Sequence, residues 1–336
     1  VTDAEMMSRA LALAGKGRYS VSPNPMVGCV IAQNGIVIGE GWHHRAGEPH
    51  AEIEALRACT ADPRGATMYV TLEPCAHHGR TPPCADALVA ARLARVVIAM
   101  TDPHEVVNGR GIDMLRAADI AVETDVCEEE ARRLNEKFVH SVTHGMPFVL
   151  LKAGMTLDGK LATVTGESRW ITSPAARERS LALREEYDAI LVGGGTVAAD
   201  DPQLTRRLGW NNSISPWTRV VLDRDRTVPP GARVLTDGGR TILYKDDLPL
   251  DEILRDLHRR GVQSLLIEGG SVVHSAFIRD RLWQKMIIFI APAIVGGGDA
   301  PSIFSGDPVR RLTDAYRFRF DRVEVVGEDL MVTAYP

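Results

Sequence analysis

The stretch from His50 to Cys84 constrains this chain more than any other. It opens with His50-Ala51-Glu52 and closes with Glu73-Pro74-Cys75-Ala76-His77-His78-Gly79-Arg80-Thr81-Pro82-Pro83-Cys84. One imidazole and two thiols are available to a zinc ion, and a carboxylate stands two residues after the imidazole. Three protein ligands leave a fourth tetrahedral position for water. The metal lowers the pKa of that water toward neutrality and makes it a nucleophile. A closed structural site would take a fourth protein ligand and would have no use for Glu52. His77 and His78 are therefore read as loop residues or substrate contacts rather than ligands.

The order H-x-E, then P-C, then a second cysteine is the signature of a zinc-dependent nucleobase deaminase. One departure is the gap of eight residues between the cysteines, where the usual pattern is C-x-x-C. Water would attack an amidine-type ring carbon bearing an exocyclic amine. A proton must then move from water to the ring nitrogen and the departing ammonia, and Glu52 suits that shuttle. The spacing puts His50 and Glu52 near the first turn of a helix continuing through Ile53, Leu56 and Arg57. Cys84 follows Pro82-Pro83 and opens another helix through Ala85-Asp86-Ala87-Leu88, where a helix N-terminus favours thiolate.

Composition excludes several classes. A length of 336 residues suggests about two domains. The net charge of -5 gives no basic footprint for nucleic acid, and aromatics at 5% give no stacking surface for a nucleic-acid-editing deaminase. No apolar run is long enough for a membrane span. The chain opens Val1-Thr2-Asp3-Ala4-Glu5, without the regions of a signal peptide. Five cysteines in this length are not a disulfide framework. Cys29, Cys59 and Cys127 read as small core residues. The expected compartment is the cytoplasm.

Along the chain, Thr2 or Asp3 caps a first helix with Met6, Met7, Ala10, Leu11 and Ala14 on one face. Strands Cys29 to Gln33 and Ile36 to Glu40 flank Asn34-Gly35, a strong hairpin signal. Further strands are expected at Thr67 to Leu72, Arg95 to Met100 and Ile120 to Thr124, and a helix from Glu128 to His140. Val142 to Pro147 reads as the boundary, giving domains 1–145 and 146–336. The second half also alternates, with strands at Phe148 to Gly154, Ala189 to Val192, Arg219 to Asp223, Ser264 to Ile267 and Lys285 to Ala291. A helix is expected from Ala175 to Tyr187, and another through Ala276 and Phe277. The class is α/β, with helices on both sheet faces. Gly193 to Ala198 formally fits G-x-G-x-x-A, with Asp223 ending a later strand. Spacing alone supports only a phosphorylated or nucleotide ligand for this half.

Several residues together resemble one family, the bacterial bifunctional riboflavin-biosynthesis deaminase/reductases. They are Pro23-Asn24-Pro25-Met26-Val27-Gly28-Cys29, His50-Ala51-Glu52 and the Glu73-to-Cys84 segment. In the second half they are Lys152 to Lys160, Gly193-Gly194-Gly195-Thr196 with Asp200-Asp201-Pro202, and Glu268-Gly269-Gly270. The resemblance covers essentially the whole chain.

It implies a cytidine-deaminase-like α/β/α domain followed by a dihydrofolate-reductase-like domain, which overrides the Rossmann match. It implies zinc-dependent removal of the amine of 2,5-diamino-6-(5-phosphoribosylamino)pyrimidin-4-one. NADPH-dependent reduction of the ribosyl group then gives 5-amino-6-(5-phosphoribitylamino)uracil. His50, Cys75 and Cys84 match zinc ligands, Glu52 the proton shuttle, and Asn24 and His43 pyrimidine contacts. Gly154, Trp170, Thr196, Asp200, Asp223 and the turn Gly270-Ser271-Val272-Val273-His274-Ser275-Ala276 match cofactor positions. Ser168, Arg184, Leu204, Arg207 and Glu268 match substrate positions, with Arg184 and Arg207 suited to a phosphate. Lys152 either faces the substrate or snorkels from a strand end. Asp223 stands where an acid would repel a 2′-phosphate. The implied partner is a small phosphorylated pyrimidine, with no nucleic acid and no membrane. A homo-oligomer is implied by the resemblance alone.

Overall fold

The computed structural model describes residues 1–76, 83–104, 108–306 and 309–336. Two compact units emerge, Val1–Gly145 with Asn211–Ser215, and Met146–Trp210 with Pro216–Pro336. The sequence boundary had assigned Asn211–Ser215 to the second half. In the structure the Asn212 N–H donates to the Tyr19 carbonyl at 2.9 Å, and the Ser215 and Ser22 hydroxyls lie 3.1 Å apart. These polar ties hold a short segment, carrying no pattern of its own, on the first unit.

In the first unit β1 (Gly28–Gln33), β2 (Ile36–Trp42), β3 (Thr67–Val70), β4 (Arg95–Ile98) and β5 (Ala121–Glu123) form one sheet, ordered β2-β1-β3-β4-β5. Asn34 and Gly35 both take positive φ, as a tight hairpin turn needs, and β1 pairs antiparallel with β2. β3, β4 and β5 run parallel. Alternate strand residues feed two cores. Cys29, Ile31, Met68, Val70, Val96 and Ile98 pack on one side, against the helices Ala51–Arg57, Cys84–Ala90 and Arg110–Ala117. Val30, Tyr69 and Val97 pack on the other, against the helix Asp3–Ala14 and Ala131. Thr2 caps that first helix in a full capping box with Glu5. Cys29 is buried, whereas Cys59 and Cys127 are only partly so.

The helix expected from Glu128 to His140 is two, Glu128–Leu134 and Glu136–His144. Asn135 breaks it. Its buried amide accepts from the Met26 N–H at 2.8 Å and donates to the Met26 carbonyl at 2.9 Å. Two satisfied buried hydrogen bonds outweigh helix continuity here, and they fix the loop that carries Asn24.

The second unit holds β6 (Phe148–Thr156), β7 (Ala189–Gly193), β8 (Thr218–Leu222), β9 (Thr241–Tyr244), β10 (Ser264–Ile267), β11 (Lys285–Ala291), β12 (Arg319–Val326) and β13 (Asp329–Tyr335). The order is β12-β13-β11-β6-β10-β7-β8-β9. From β11 to β9 neighbours are parallel, and their near-continuous apolar runs are buried on both faces. The antiparallel β12–β13 hairpin extends the sheet beyond β11. Sequence periodicity had not marked it, because β12 alternates Arg, Asp and Glu with exposed Phe320, Val323 and Val325.

Gly39 and Gly41 of β2 let the helix Ala51–Arg57 lie directly on the sheet. A Cβ at Gly41 would fall 2.4 Å from the Ala51 carbonyl and from the Ala55 nitrogen. Gly41→Ala is expected to cost about 1–3 kcal/mol through overpacking. Since His50 caps this helix, zinc content should fall with thermal stability. Calorimetry and metal analysis on the same preparation check both.

Candidate active sites

His50 is the N-cap of the helix Ala51–Arg57, and Cys84 is the first residue of the helix Cys84–Ala90 behind Pro83. Cys75 leaves the end of β3. The ligand atoms of His50, Cys75 and Cys84 lie within 4.8 Å of one another. His50 Nδ1 is 3.1 Å from Cys84 Sγ and 3.6 Å from Cys75 Sγ, and the Cys84 N–H donates to Cys75 Sγ at 3.3 Å. A tetrahedral zinc with bonds of about 2.0–2.3 Å requires ligand separations of about 3.3–3.8 Å. The donor set and spacing therefore fit zinc. The Cys75 thiol is held down at about 4, chiefly by the hydrogen bond from Cys84 and further by His50. His77 and His78 lie outside the described residues.

Glu52, the second residue of the same helix, is 3% exposed. Burial raises its carboxyl, with His50 opposing. A carboxyl moved toward neutrality is suited to both taking and giving a proton. It lines a cavity of about 220 Å³ with Asn24, His43, His50 and Cys75. His43 is buried, its Nδ1 3.1 Å from the Pro49 carbonyl and its Nε2 2.9 Å from Asn24 Nδ2. A carbonyl only accepts, so Nδ1 carries the proton and Nε2 accepts from the Asn24 amide. Burial lowers the His43 pKa, in keeping with a neutral ring that fixes the amide. Glu73, Asp102 and Phe138 also line this cavity, and sequence reading assigned them no role. Asp102 and Phe138 carry no motif signal, whereas Glu73 stands two residues before a ligand.

The second unit holds a cavity of about 940 Å³ along the C-terminal ends of its parallel strands. Ligand sites of open α/β sheets collect there. β6 contributes Lys152 and Gly154, and the end of β10 contributes Glu268, Gly269 and Gly270. The end of β7 leads to Thr196 and Asp200, and the end of β8 to Asp223. Ser168 lines the same space, as do Ser271, Val272, Val273 and Ala276. Glu268 is gripped by Arg184, with Nε–Oε1 at 2.9 Å and Nη2–Oε2 at 3.0 Å, and Lys152 Nζ stands 3.8 Å away. Burial pushes the Glu268 carboxyl up, but Arg184 and Lys152 outweigh it and hold it at about 2. Arg207 adds to the same field.

Trp170, His274, Ser275 and Leu204, also matched by resemblance, lie outside the cavity lining, and Asp223 and Arg184 carry further bonds of their own. Trp170 is 71% exposed, outside the cavity lining, with the Arg177 guanidinium 4.5 Å from its ring centre. His274 is buried, and Ser275 Oγ accepts from the Ser305 N–H at 2.7 Å; neither lines the large cavity. Leu204 is packed in a core with Ile190 and Val221. Asp223 Oδ1 accepts from the Thr227 N–H at 2.7 Å and the Val228 N–H at 3.1 Å, so it organises the turn after β8. The N–H fork of Arg184 that a phosphate would need is taken by Glu268.

Residues 1–100 match the cytidine and deoxycytidylate deaminase zinc-binding region, and residues 147–332 match the RibD C-terminal domain. The Escherichia coli K12 riboflavin biosynthesis protein RibD is 40% identical over 361 residues, covering 98% of each chain. The chain belongs to the RibD family. RibD from Bacillus amyloliquefaciens is 39% identical, across 98% of this chain and 95% of the relative. A solved Acinetobacter baumannii RibD superposes with a TM-score of 0.91 at 39% identity, covering 99% of this chain and 98% of that one. The Thermotoga maritima diaminohydroxyphosphoribosylaminopyrimidine deaminase/5-amino-6-(5-phosphoribosylamino)uracil reductase superposes with a TM-score of 0.89 at 37% identity, with the same coverage. Like these RibD proteins, the chain is a bifunctional riboflavin-biosynthesis enzyme, with a zinc-dependent deaminase domain and an NADPH-dependent reductase domain. The RibD assignment also disposes of the Rossmann pattern at Gly193 to Ala198. That stretch is the last residue of β7, an inner strand of the sheet, and the start of the short helix Gly194–Asp200.

Arg184→Met would leave Glu268 buried without its hydrogen-bonded partner, with Lys152 and Arg207 as the remaining cations, at a cost of about 3–5 kcal/mol. The contribution of Glu268 is fully present above its ordinary value of 4.5 and lost as pH falls toward 2. The stability gap between wild type and variant should therefore narrow from pH 4.5 downward. Urea titrations of both proteins across that range check it.

Proposed function

We propose that His50, Cys75 and Cys84 hold the zinc, that Glu52 carries the proton, and that residues 1–145 deaminate 2,5-diamino-6-(5-phosphoribosylamino)pyrimidin-4-one. The reading rests above all on three convergent ligand atoms beside a buried glutamic acid that lines the same cavity. Zinc, when bound, supplies a Lewis acid that brings a water's pKa toward neutrality. Asn24, its amide fixed by His43, holds the pyrimidine. Glu52 takes a proton from the water that adds to the ring carbon and returns it to the ring nitrogen. Glu52 then takes the remaining proton from the added hydroxyl and gives it to the exocyclic amine as the C–N bond breaks, leaving a ring carbonyl and ammonia.

Residues 146–336, apart from Asn211–Ser215, form the reductase in this reading. When bound, NADPH would supply the hydride for C1′ of an imine formed from the opened ribose, and a proton taken up at the imine nitrogen completes the reduction to 5-amino-6-(5-phosphoribitylamino)uracil. The Gly270-to-Ala276 turn opens the helix Ser271–Arg279, whose backbone N–H groups suit the cofactor's phosphates. Lys152, Ser168 and Glu268 face the substrate, and Arg184 holds Glu268 ionised and oriented. Arg207 is left as the guanidinium for the substrate phosphate. Gly154, Thr196, Asp200 and Asp223 border the cofactor.

The enzyme is proposed to be cytoplasmic; among the described residues no helix is long and apolar enough to cross a membrane. A homo-oligomer is proposed from the open sheet face bearing Val323, Val325 and Leu330, each at least 40% exposed. Sedimentation velocity should show a species larger than one chain, and a monomer at all concentrations would refute it.

Glu52→Gln is expected to keep its zinc and to lose about 10²–10⁴ in the rate of ammonia release. Its reduction of the deaminated substrate should be unchanged. An active Glu52→Gln deaminase would refute the assigned role.

A further inference from the structure

Glu73 is buried at 3% exposure, and the chemistry above makes no use of it. Its carboxylate is nonetheless fully engaged. Oε2 accepts from the backbone N–H groups of Asp102 at 3.2 Å and Gly109 at 3.0 Å. Oε1 accepts from those of Gly111 at 2.9 Å and Ile112 at 3.4 Å. The Glu73 N–H itself donates to the Met100 carbonyl at 3.0 Å. A second contact reinforces the first. A Cβ at Gly111 would fall 1.9 Å from the Pro74 carbonyl, so the two backbones touch with no room for a side chain.

A helix start needs no buried glutamate from a distant strand. A local Ser, Thr or Asp at the N-cap satisfies the same donors at smaller desolvation cost. Here the N-cap of the helix Arg110–Ala117 is Gly109, which makes no side-chain cap. The acid arrives instead from the end of β3, two residues before Cys75. Both Glu73 and Asp102 line the deaminase cavity.

We propose that Glu73 is a positioning residue of the deaminase. It locks the Cys75 ligand and the cavity wall at Asp102 to one rigid element, the helix Arg110–Ala117, so that metal and substrate are held in one frame. The proposal rests on the zinc-deaminase reading of this cavity.

Glu73→Gln turns one acceptor oxygen into an amide N–H₂ facing N–H donors. Glu73→Asp keeps the charge on a shorter stem. Both are tested in the full chain. The readouts are the rate at which the chelator 4-(2-pyridylazo)resorcinol removes zinc, the visible spectrum after cobalt substitution, and kcat and KM for ammonia release. Reduction of the deaminated substrate serves as the reference. The Glu73 carboxylate bonds backbone N–H groups and acts on Cys75 through the two intervening peptide units; groups that orient a metal ligand from outside are worth about 10–100-fold in metal affinity or activity. Glu73→Gln is therefore expected to release zinc faster, shift the cobalt spectrum and lower kcat by about tenfold or more, with reductase turnover unchanged. Glu73→Asp should recover part of each. A lower unfolding temperature with zinc release, cobalt spectrum and kcat all as in wild type would overturn the proposal and leave Glu73 a helix cap. If Glu73→Gln does not fold, Glu73→Asp carries the same comparison; failure of both to fold makes Glu73 a folding determinant and also overturns it. Wild-type protein that releases no ammonia would overturn the deaminase reading itself.

Discussion

The first unit depends on how closely the helix Ala51–Arg57 sits on β2. Gly39 and Gly41 bring the backbones together, since a Cβ at either would strike the Ala55 or Ala51 carbonyl at 2.4 Å. That approach sets the depth of His50 and Glu52, which open the helix. The imidazole then meets the two thiols at ligand distance, and the carboxyl is buried enough to be raised. Small residues on a strand thus help to bury an acid eleven residues beyond Gly41 in sequence, and burial raises its pKa.

Both units build their sites at strand ends. In the first, β3 delivers Glu73 to Cys75 and β4 delivers Asp102. In the second, β6, β10, β7 and β8 deliver Lys152, Glu268, the start of the helix Gly194–Asp200 and Asp223 to one cavity. The electrostatic solutions differ. The cavity of the first unit leaves Glu52 with a raised pKa. The reductase cavity surrounds Glu268 with Arg184, Lys152 and Arg207, so it stays ionised and serves as a fixed charge. Burial acts on both carboxyls in the same direction, and the neighbouring cations decide the outcome.

Much of this was legible beforehand, because metal and turn chemistry restrict residue type. Few residues besides His and Cys bind zinc, and few dipeptides besides Asn34-Gly35 make the β1–β2 turn; that Thr2 rather than Asp3 caps the first helix was left to the structure. What was hidden depends on tertiary partners. Asn135 reads as an ordinary helix residue until Met26 is opposite it. Arg184 reads as a phosphate ligand until Glu268 takes its fork. His274 lies within a turn matched to the cofactor, yet its position on the helix turns the ring into the interior. The β12–β13 hairpin escaped notice because its outward face is apolar and its charges are interspersed, which obscures the period of two.

The most direct test of a two-step enzyme is a coupled assay on purified, zinc-loaded protein given the diaminopyrimidine ribosyl phosphate and NADPH. Ammonia and the loss of NADPH absorbance are followed together from mixing. The account predicts ammonia first, then NADPH consumption after a lag, with NADPH oxidised never exceeding ammonia released. NADPH loss that precedes ammonia, or ammonia with no NADPH loss at all, would contradict it.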